Sequence, residues 1–188
     1  TSRPISSPFS LLDCDIPVDG CTAVVVSTVD ASADLRHPVA IEAMGGALRH
    51  RPLWEQWEDL TTMGSHDAAA QMWSRTHLEP KDVDVVELYD GFSIFPLMWL
   101  EAFGFCEPGG AGPFVEGGER IALGGELPMN TFGGQLSAGR THGYGFLAEA
   151  IRQVRGEAGA RQVKDAAVVA AGVGGGVVAG ALLLAKVA

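Results

Sequence analysis

Residues Val83–Gly104 read VDVVELYDGFSIFPLMWLEAFG, and the fold turns on how that stretch is divided. VDVVELY is short, rich in valine and nearly continuous in its apolar character, which predicts a strand buried on both faces and ending at Tyr89. A polar tip, Asp90–Gly91, follows at once. The next segment, SIFPLMWLEAFG, is strongly apolar and predicts a helix, with Pro96 tolerated because it lies near the helix start and Gly104 as the stop. Strand, tip and helix in that order place Tyr89 and Asp90 at the C-terminal end of a strand, where open α/β sheets hold their ligands. Each residue also has a plain reading: a tyrosine at a strand end packs with its hydroxyl satisfied, and an aspartate before a helix caps it. For Asp90 the cap is the expected role. Strands alternate with helices along the chain and no internal repeat is visible, so the fold class is α/β, a mixed sheet layered with helices.

Downstream, Pro128–Ala150 reads PMNTFGGQLSAGRTHGYGFLAEA. Gly133, Gly134, Gly139, Gly143 and Gly145 allow close approach of backbone to a ligand, and Arg140, His142 and Tyr144 alternate with the last of them. Phe146, Leu147, Ala150, Ile151 and Val154 then recur at helical spacing up to Gly156. A long structural turn is the ordinary account of such glycines. The polar residues beside a helix start favour an active-site loop, because amides and dipole there stabilise an oxyanion. Further on, Ala166–Ala185 carries no formal charge over the length of a membrane span. It is broken by Gly172, Gly174, Gly175 and Gly176, and its Val-rich flanks predict two buried strands joined by a glycine turn.

Upstream, residues 1 to 10 read as coil, and CTAVVVST predicts a strand buried around Ala23–Val26. PVAIEAMGG predicts another strand. Residues 49 to 63, with Trp54 and Trp57, show no clear period and predict a loop with a helical turn at most. Ser65 is the expected cap of a helix running to about Leu78, with Asp67 in its first turn and Ala69, Met72, Trp73 and Thr76 facing inward. Cys106–Gly118 predicts a glycine-rich loop that covers a site or merely connects elements.

With 188 residues and 47% apolar content, the chain fits one domain with a sizeable core. A formal charge of −10, with thirteen scattered basic residues, argues against a nucleic-acid surface. Cys14, Cys21 and Cys106 have no metal-ligand spacing and leave one thiol unpaired, which fits free thiols in a reducing cytoplasm. No basic-then-apolar leader pattern precedes them.

The ordered set VDVVELYDGFS, LEAFGFCEPGGAGPFVEGG, LPMNTFGGQLSAGRTHGYGFLAEAIRQVRGEAGARQV and GVGGG resembles the thiolase superfamily, above all the sterol-carrier-type thiolases and the related lipid-transfer-type retro-aldolases of steroid side-chain degradation. The resemblance implies two similar βαβαβαββ halves in an enzyme about twice this length. Residues 1–37 look like the tail end of the N-terminal half, and residues 38–188 like the C-terminal half. The nucleophilic cysteine loop of the family belongs to the half this sequence does not include. By itself the chain is expected to leave an apolar half-interface open.

Residue by residue, the family pattern changes. Tyr89 before Asp90 stands where sterol-carrier-type thiolases have a histidine before aspartate. Gly139, Arg140 and Thr141 stand for their Gly-His-Pro motif, and Gly172 for the acid/base cysteine of biosynthetic and degradative thiolases. Claisen chemistry needs a thiolate and an acid/base partner. Retro-aldol cleavage of a β-hydroxyacyl thioester needs only a base for the hydroxyl proton and donors for the enolate. The resemblance therefore implies a lyase with Tyr89 and Tyr144 as acid and base, the base being open among Tyr89, Tyr144 and His142, with Arg140 or His142 orienting them or carrying charge, loop amides at Gly143 and Gly139 near the oxyanion, and Asp90 in support. A phenol ordinarily keeps its proton to about pH 10, so a cation beside it is needed, and Arg140 is the expected one. The alternatives are a CoA-dependent acyltransferase whose cysteine lies in the other half, and an inactive acyl-CoA-binding or scaffold subunit. Also implied are a homodimer, an OB-fold partner of the acyl-CoA hydratase type, and no metal or cofactor beyond the CoA of the substrate.

Overall fold

The computed structural model of the chain describes residues 2–32, 34–49, 53 and 56–187. Where coil is expected at the start, β1 (Pro4–Ser6) and β2 (Phe9–Ser10) pair antiparallel in a small hairpin. The main elements follow in order: β3 (Val39–Leu48), α1 (Gly64–Trp73), β4 (Val85–Leu88), α2 (Ile94–Ala102), α3 (Ala111–Val115), α4 (Gly134–Ala138), α5 (Tyr144–Arg155), β5 (Val168–Gly174) and β6 (Val178–Lys186).

The sheet runs β3-β6-β5-β4, antiparallel at its first two pairings and parallel between β5 and β4. The uncharged stretch before Lys186 is therefore the expected hairpin, β5 and β6, set in the middle of the sheet. Successive residues of these strands point to opposite faces. Val86, Leu88, Ala170 and Leu183 meet Ala68, Ala69, Met72, Trp99, Leu100 and Phe103 of α1, α2 and the residue after it. Val85, Val169 and Leu184 meet Ala150 and Val154 of α5 on the other side. All four residues of β4 are buried, as a strand covered on both faces requires. Burying each of the large side chains, Trp99 foremost, contributes about 1.5–3 kcal/mol.

Several local expectations change. Residues 21–28 form no strand, and Val25 is 94% exposed. A strand needs a neighbour for its backbone groups, and none of the described residues pairs with this run. The helix expected from Ser65 to Leu78 ends at Trp73. Its N-cap position is Met63, with no side-chain cap bond, while Ser65 is buried within the first turn. There the N–H groups of Gly64 and Ser65 donate to the carbonyls of Gly176 and Gly175, so the glycine turn between β5 and β6 takes the place of a side-chain cap. Ala69 and Met72 face the core as expected, but the Thr76 hydroxyl donates to Glu42 at 2.6 Å. Of residues 49 to 63, Trp57 lies under the Arg49 guanidinium, 5.2 Å from its ring centre; Trp54 lies outside the described residues. The 106–118 stretch contains α3, with Ala111 and Phe114 buried. An apolar strip stays open at the β3–β6 edge, where Met44 pairs with Leu182, Gly46 with Gly180 and Leu48 with Val178.

Candidate active site

The end of β4 grips the glycine-rich stretch at three successive points. Pro128–Asn130 lies along the free edge of β4 as one more strand-like segment: Val86 donates to the Pro128 carbonyl at 3.0 Å and Asn130 to the Val86 carbonyl at 2.9 Å. The Asn130 side chain continues the ladder, accepting from Leu88 N–H at 2.6 Å and donating to its carbonyl at 2.9 Å. Next, the Thr131 N–H and hydroxyl reach Glu87 Oε1, at 3.1 and 2.8 Å. Last, Asp90 accepts from the N–H of Gln135 at 2.7 Å and of Leu136 at 3.4 Å.

Asp90 is thus a cap, but of α4, 45 residues onward, and not of α2, which follows it directly. Burial raises its carboxyl above the usual carboxylate range, opposed by the bonds from Gln135 and Leu136. Gly134 is required here: its φ is +64°, and a Cβ would lie 1.9 Å from Asp90 Oδ2.

Tyr89 follows directly, its N–H donating to the Gly172 carbonyl at 2.8 Å. Its half-buried ring packs edge-on to Phe95, with centroids 5.6 Å apart, and against Phe146 at 6.3 Å. Tyr144 opens α5 two residues before Phe146 and is 57% exposed. Gly143, with φ +94°, is the N-cap of that helix, and its carbonyl accepts from Leu147. His142 is exposed, with φ 49°. Arg140 is tied elsewhere than expected: its guanidinium faces the Asp15 carboxylate at 3.6 Å, and its N–H donates to Ile16 at 2.8 Å. The Gly139 amide is already committed to the Gln135 carbonyl at 3.1 Å. So the fold gathers Tyr89, Asp90 and the loop at one end of the sheet, with Arg140 held by the N-terminal segment.

Beneath Tyr89, Gly172 and Trp99 are in contact. A Cβ at 172 would lie 2.5 Å from Trp99 Cδ2, and the indole is fixed by its N–H to the Gly174 carbonyl at 3.0 Å. No side chain larger than hydrogen fits there without displacing the ring.

Residues 45–185 match the family described as thiolase C-terminal domain-like. The chain belongs to that family. It is 39% identical over 165 residues to the 17-hydroxy-3-oxo-4-pregnene-20-carboxyl-CoA lyase of Mycobacterium tuberculosis, a match covering 82% of this chain and 41% of that protein. It is 37% identical over 162 residues to a steroid side-chain-cleaving aldolase of Thermomonospora curvata, with the same coverages of 82% and 41%. Among solved structures, an Ltp2-ChsH2(DUF35) aldolase superposes with a TM-score of 0.92 at 34% identity, over 98% of this chain and 49% of that one. The chain thus spans about two-fifths to one half of the length of these relatives.

Around this thiolase-like core lie residues that periodicity did not single out. Glu87, Asn130, Thr131, Gln135, Glu149 and Asp15 are polar and joined to the site, and Glu87, Gln135 and Glu149 are buried. The only local signal was a charged letter inside an apolar strand at Glu87. Burial pushes that carboxyl up to about 8, with Thr131 opposing and Glu149 and Asp90 adding repulsion. Among the described residues, no group of three His, Cys, Asp or Glu side chains is placed to hold a metal ion. Burial also raises the Cys106 thiol, which disfavours the thiolate a nucleophile needs. A cleft of about 550 Å³ opens beside Val83, Phe105, Phe114 and Leu127, at the opposite end of β4, and no candidate residue lines it. No helix among the described residues is long and apolar enough to cross a membrane.

Proposed function

We propose that the protein containing this chain is a thiolase-like carbon–carbon lyase that cleaves a β-hydroxyacyl-CoA, with a steroid or lipid side chain, by a retro-aldol reaction. The observation that carries this reading is the contact of Gly172 with Trp99: the position expected for an acid/base cysteine has no room for a side chain. The names of the two relatives and of the superposed aldolase support the same chemistry.

In the proposed reaction one tyrosine of the Tyr89–Tyr144 pair acts as the base that takes the proton of the β-hydroxyl. The alkoxide electrons form a ketone carbonyl as the bond between the α and β carbons breaks, and that bonding pair passes into a thioester enolate. The other tyrosine then protonates the enolate carbon, releasing a shortened acyl-CoA. Amides of the glycine-rich loop, Gly143 first, are the proposed donors to the thioester oxygen. Gly139 contributes shape instead, since its N–H is used. Arg140 is proposed to act with Asp15 as a fixed charge at the edge of the site, and His142, exposed on the loop, as an orienting group.

Residues 1–37 are proposed as the end of a preceding half and residues 38–188 as the second half. A homodimer, an OB-fold partner and a cytoplasmic setting complete the proposal, with no cofactor beyond the CoA of the substrate. Support for the partner comes from the superposed aldolase, whose name joins Ltp2 to ChsH2(DUF35). The test is to mix the full-length protein and candidate partner with a β-hydroxyacyl-CoA bearing a tertiary alcohol, and to follow products by mass spectrometry. A ketone with a shortened acyl-CoA is expected. No cleavage, with an acyl mass added to the protein, would establish the acyltransferase instead; neither product would leave the inactive subunit.

A further inference from the structure

Four polar groups converge where the glycine-rich stretch leaves β4, and their hydrogens can be counted. The Thr131 hydroxyl lies 2.8 Å from Glu87 Oε1, 3.1 Å from Glu149 Oε1 and 2.9 Å from Gln153 Nε2. The orientation of the Gln153 amide is settled by its other bonds, because Nε2 donates to the Arg161 carbonyl at 2.8 Å while Oε1 accepts from Val163 N–H at 2.9 Å. Gln153 therefore donates to Thr131. A hydroxyl has one proton and two lone pairs, so one proton and one lone pair remain for two carboxyl groups. Two ionised carboxylates would both need that single proton.

One of the two must carry a hydrogen itself. Glu149 cannot be the one: Arg161 grips it with two bonds of 2.9 Å, and Arg152 stands 3.7 Å away. Burial alone would raise this carboxyl, but the Arg161 and Thr131 bonds outweigh that and hold it below the usual range. We infer that Glu87 is kept as a neutral carboxylic acid, and that its proton directs a relay, Glu87 to Thr131 to Glu149, which positions the glycine-rich segment against the strand end carrying Tyr89. Glu87 Oε1 then donates to the hydroxyl and still accepts the Thr131 N–H. Glu87 Oε2, which has no partner among the described residues, is left as an acid carbonyl rather than a carboxylate oxygen, the cheaper of the two to leave unpaired.

Among the described residues, the charged groups facing Glu87 are Glu149 from α5, Asp90 from the end of β4 and Arg161 beyond α5. Two are anions, and the one cation is already bound to Glu149, so ionising Glu87 puts two acceptors on one hydroxyl and frees the loop at Thr131. Tyr89 lies two residues after Glu87, just beyond the end of β4. Glu87 is thus a positioning residue. Its effect on turnover rests on the lyase reading, whereas its proton does not.

The test uses infrared difference spectra and amide exchange on the full protein, wild type and Glu87→Gln, on either side of about pH 8. Expected in wild type is the carbonyl band of a protonated buried carboxyl at neutral pH, lost above that pH together with protection at Thr131, Gln135 and Leu136. Glu87→Gln should lack the band and keep its protection. Thr131→Val, which keeps the acid but removes its acceptor, should move the band; it and the wild-type titration serve if Glu87→Gln does not fold. Absence of the band in wild type, or an unchanged band and exchange step in Glu87→Gln, overturns the inference. In active protein, kcat rather than KM should carry the alkaline fall, and Glu87→Gln should remove it. Band and exchange step without cleavage sink the lyase reading alone; cleavage without the band sinks the proton assignment alone.

Discussion

Replacing Gly172 with alanine adds one methyl group at the most crowded point beneath the candidate site. Its Cβ would meet Trp99 Cδ2, Cε2 and Cε3 at 2.5, 2.7 and 2.8 Å, all rigid ring atoms. The ring cannot step aside freely: it is fully buried, bonded to the Gly174 carbonyl, and stacked on Phe103 with centroids 4.9 Å apart. Overpacking of this kind costs about 1–3 kcal/mol. Each kcal/mol lowers the melting midpoint by about 2–4 °C for a domain of this size and by about half that for a protein twice as long, so a fall between about 1 and 6 °C is expected in thermal denaturation of the full protein. Gly180→Ala is the control, since no atom of the described residues lies within 4 Å of the Cβ it would add. In a Trp99→Leu background the Gly172→Ala cost should shrink, a coupling of about 0.5–3 kcal/mol. Turnover should also fall, because the Gly172 carbonyl holds Tyr89 N–H at 2.8 Å. Equal stability of Gly172→Ala and Gly180→Ala would refute the steric reasoning and, with it, the account of why no cysteine fits at 172.

Asp90→Ala strips two α4 amides of their acceptor and should cost about 1–3 kcal/mol; exchange at Gln135 and Leu136 reads it, and unchanged protection there would remove the cap from Asp90. Tyr89→Phe and Tyr144→Phe should each lower kcat about 10²–10⁴-fold while leaving the far-ultraviolet dichroism unaltered; normal activity in both would end the assignment of the acid/base pair. Stability should also depend on pH through Glu87, whose value rises from 4.5 to about 8 on burial. Between those values the unfolded chain has released a proton that the folded chain keeps, so rising pH favours unfolding. The contribution is whole below 4.5, falls by up to about 1.4 kcal/mol per pH unit, and is flat above about 8. Denaturation of wild type and Glu87→Gln across this range checks it: their difference should shrink or reverse as pH rises, and parallel curves contradict the buried acid.

The elements legible in the chain are those whose reason to form is local. VDVVELY, the helix after Asp90–Gly91, the helix ending at Gly156 and the Val-rich pair around the last glycines each carry their own period and punctuation, and each also finds its partner within the chain. CTAVVVST has the same apolar signature and fails, because an apolar run states a preference for burial and not the presence of a neighbour. Capping misled in both directions: Ser65 had the right chemistry inside the first turn, and Asp90 had it for a helix far along the chain. Glu87, Asn130 and Thr131 were unreadable for the same cause. Their partners lie 42 to 44 residues away, and no local spacing encodes that pairing.

The buried polar groups also bear on the choice between enzyme and inactive subunit. Burying Glu87, Asp90, Glu149 and Gln153 removes hydration that a core of apolar residues would never have to replace, at several kcal/mol for each group left charged. Apolar residues of similar volume are commonly as stable or more so, which makes stability a weak reason for such a network. Its geometry is more informative than its energy. Every one of these side chains bonds to the segment between Asn130 and Leu136, and that segment runs from the Tyr89 strand end toward Arg140. A reaction that must hold a loop at one end of a sheet, without a cysteine at 172 to anchor the chemistry, needs the loop fixed by other means, and hydrogen bonds of defined direction from β4 supply them.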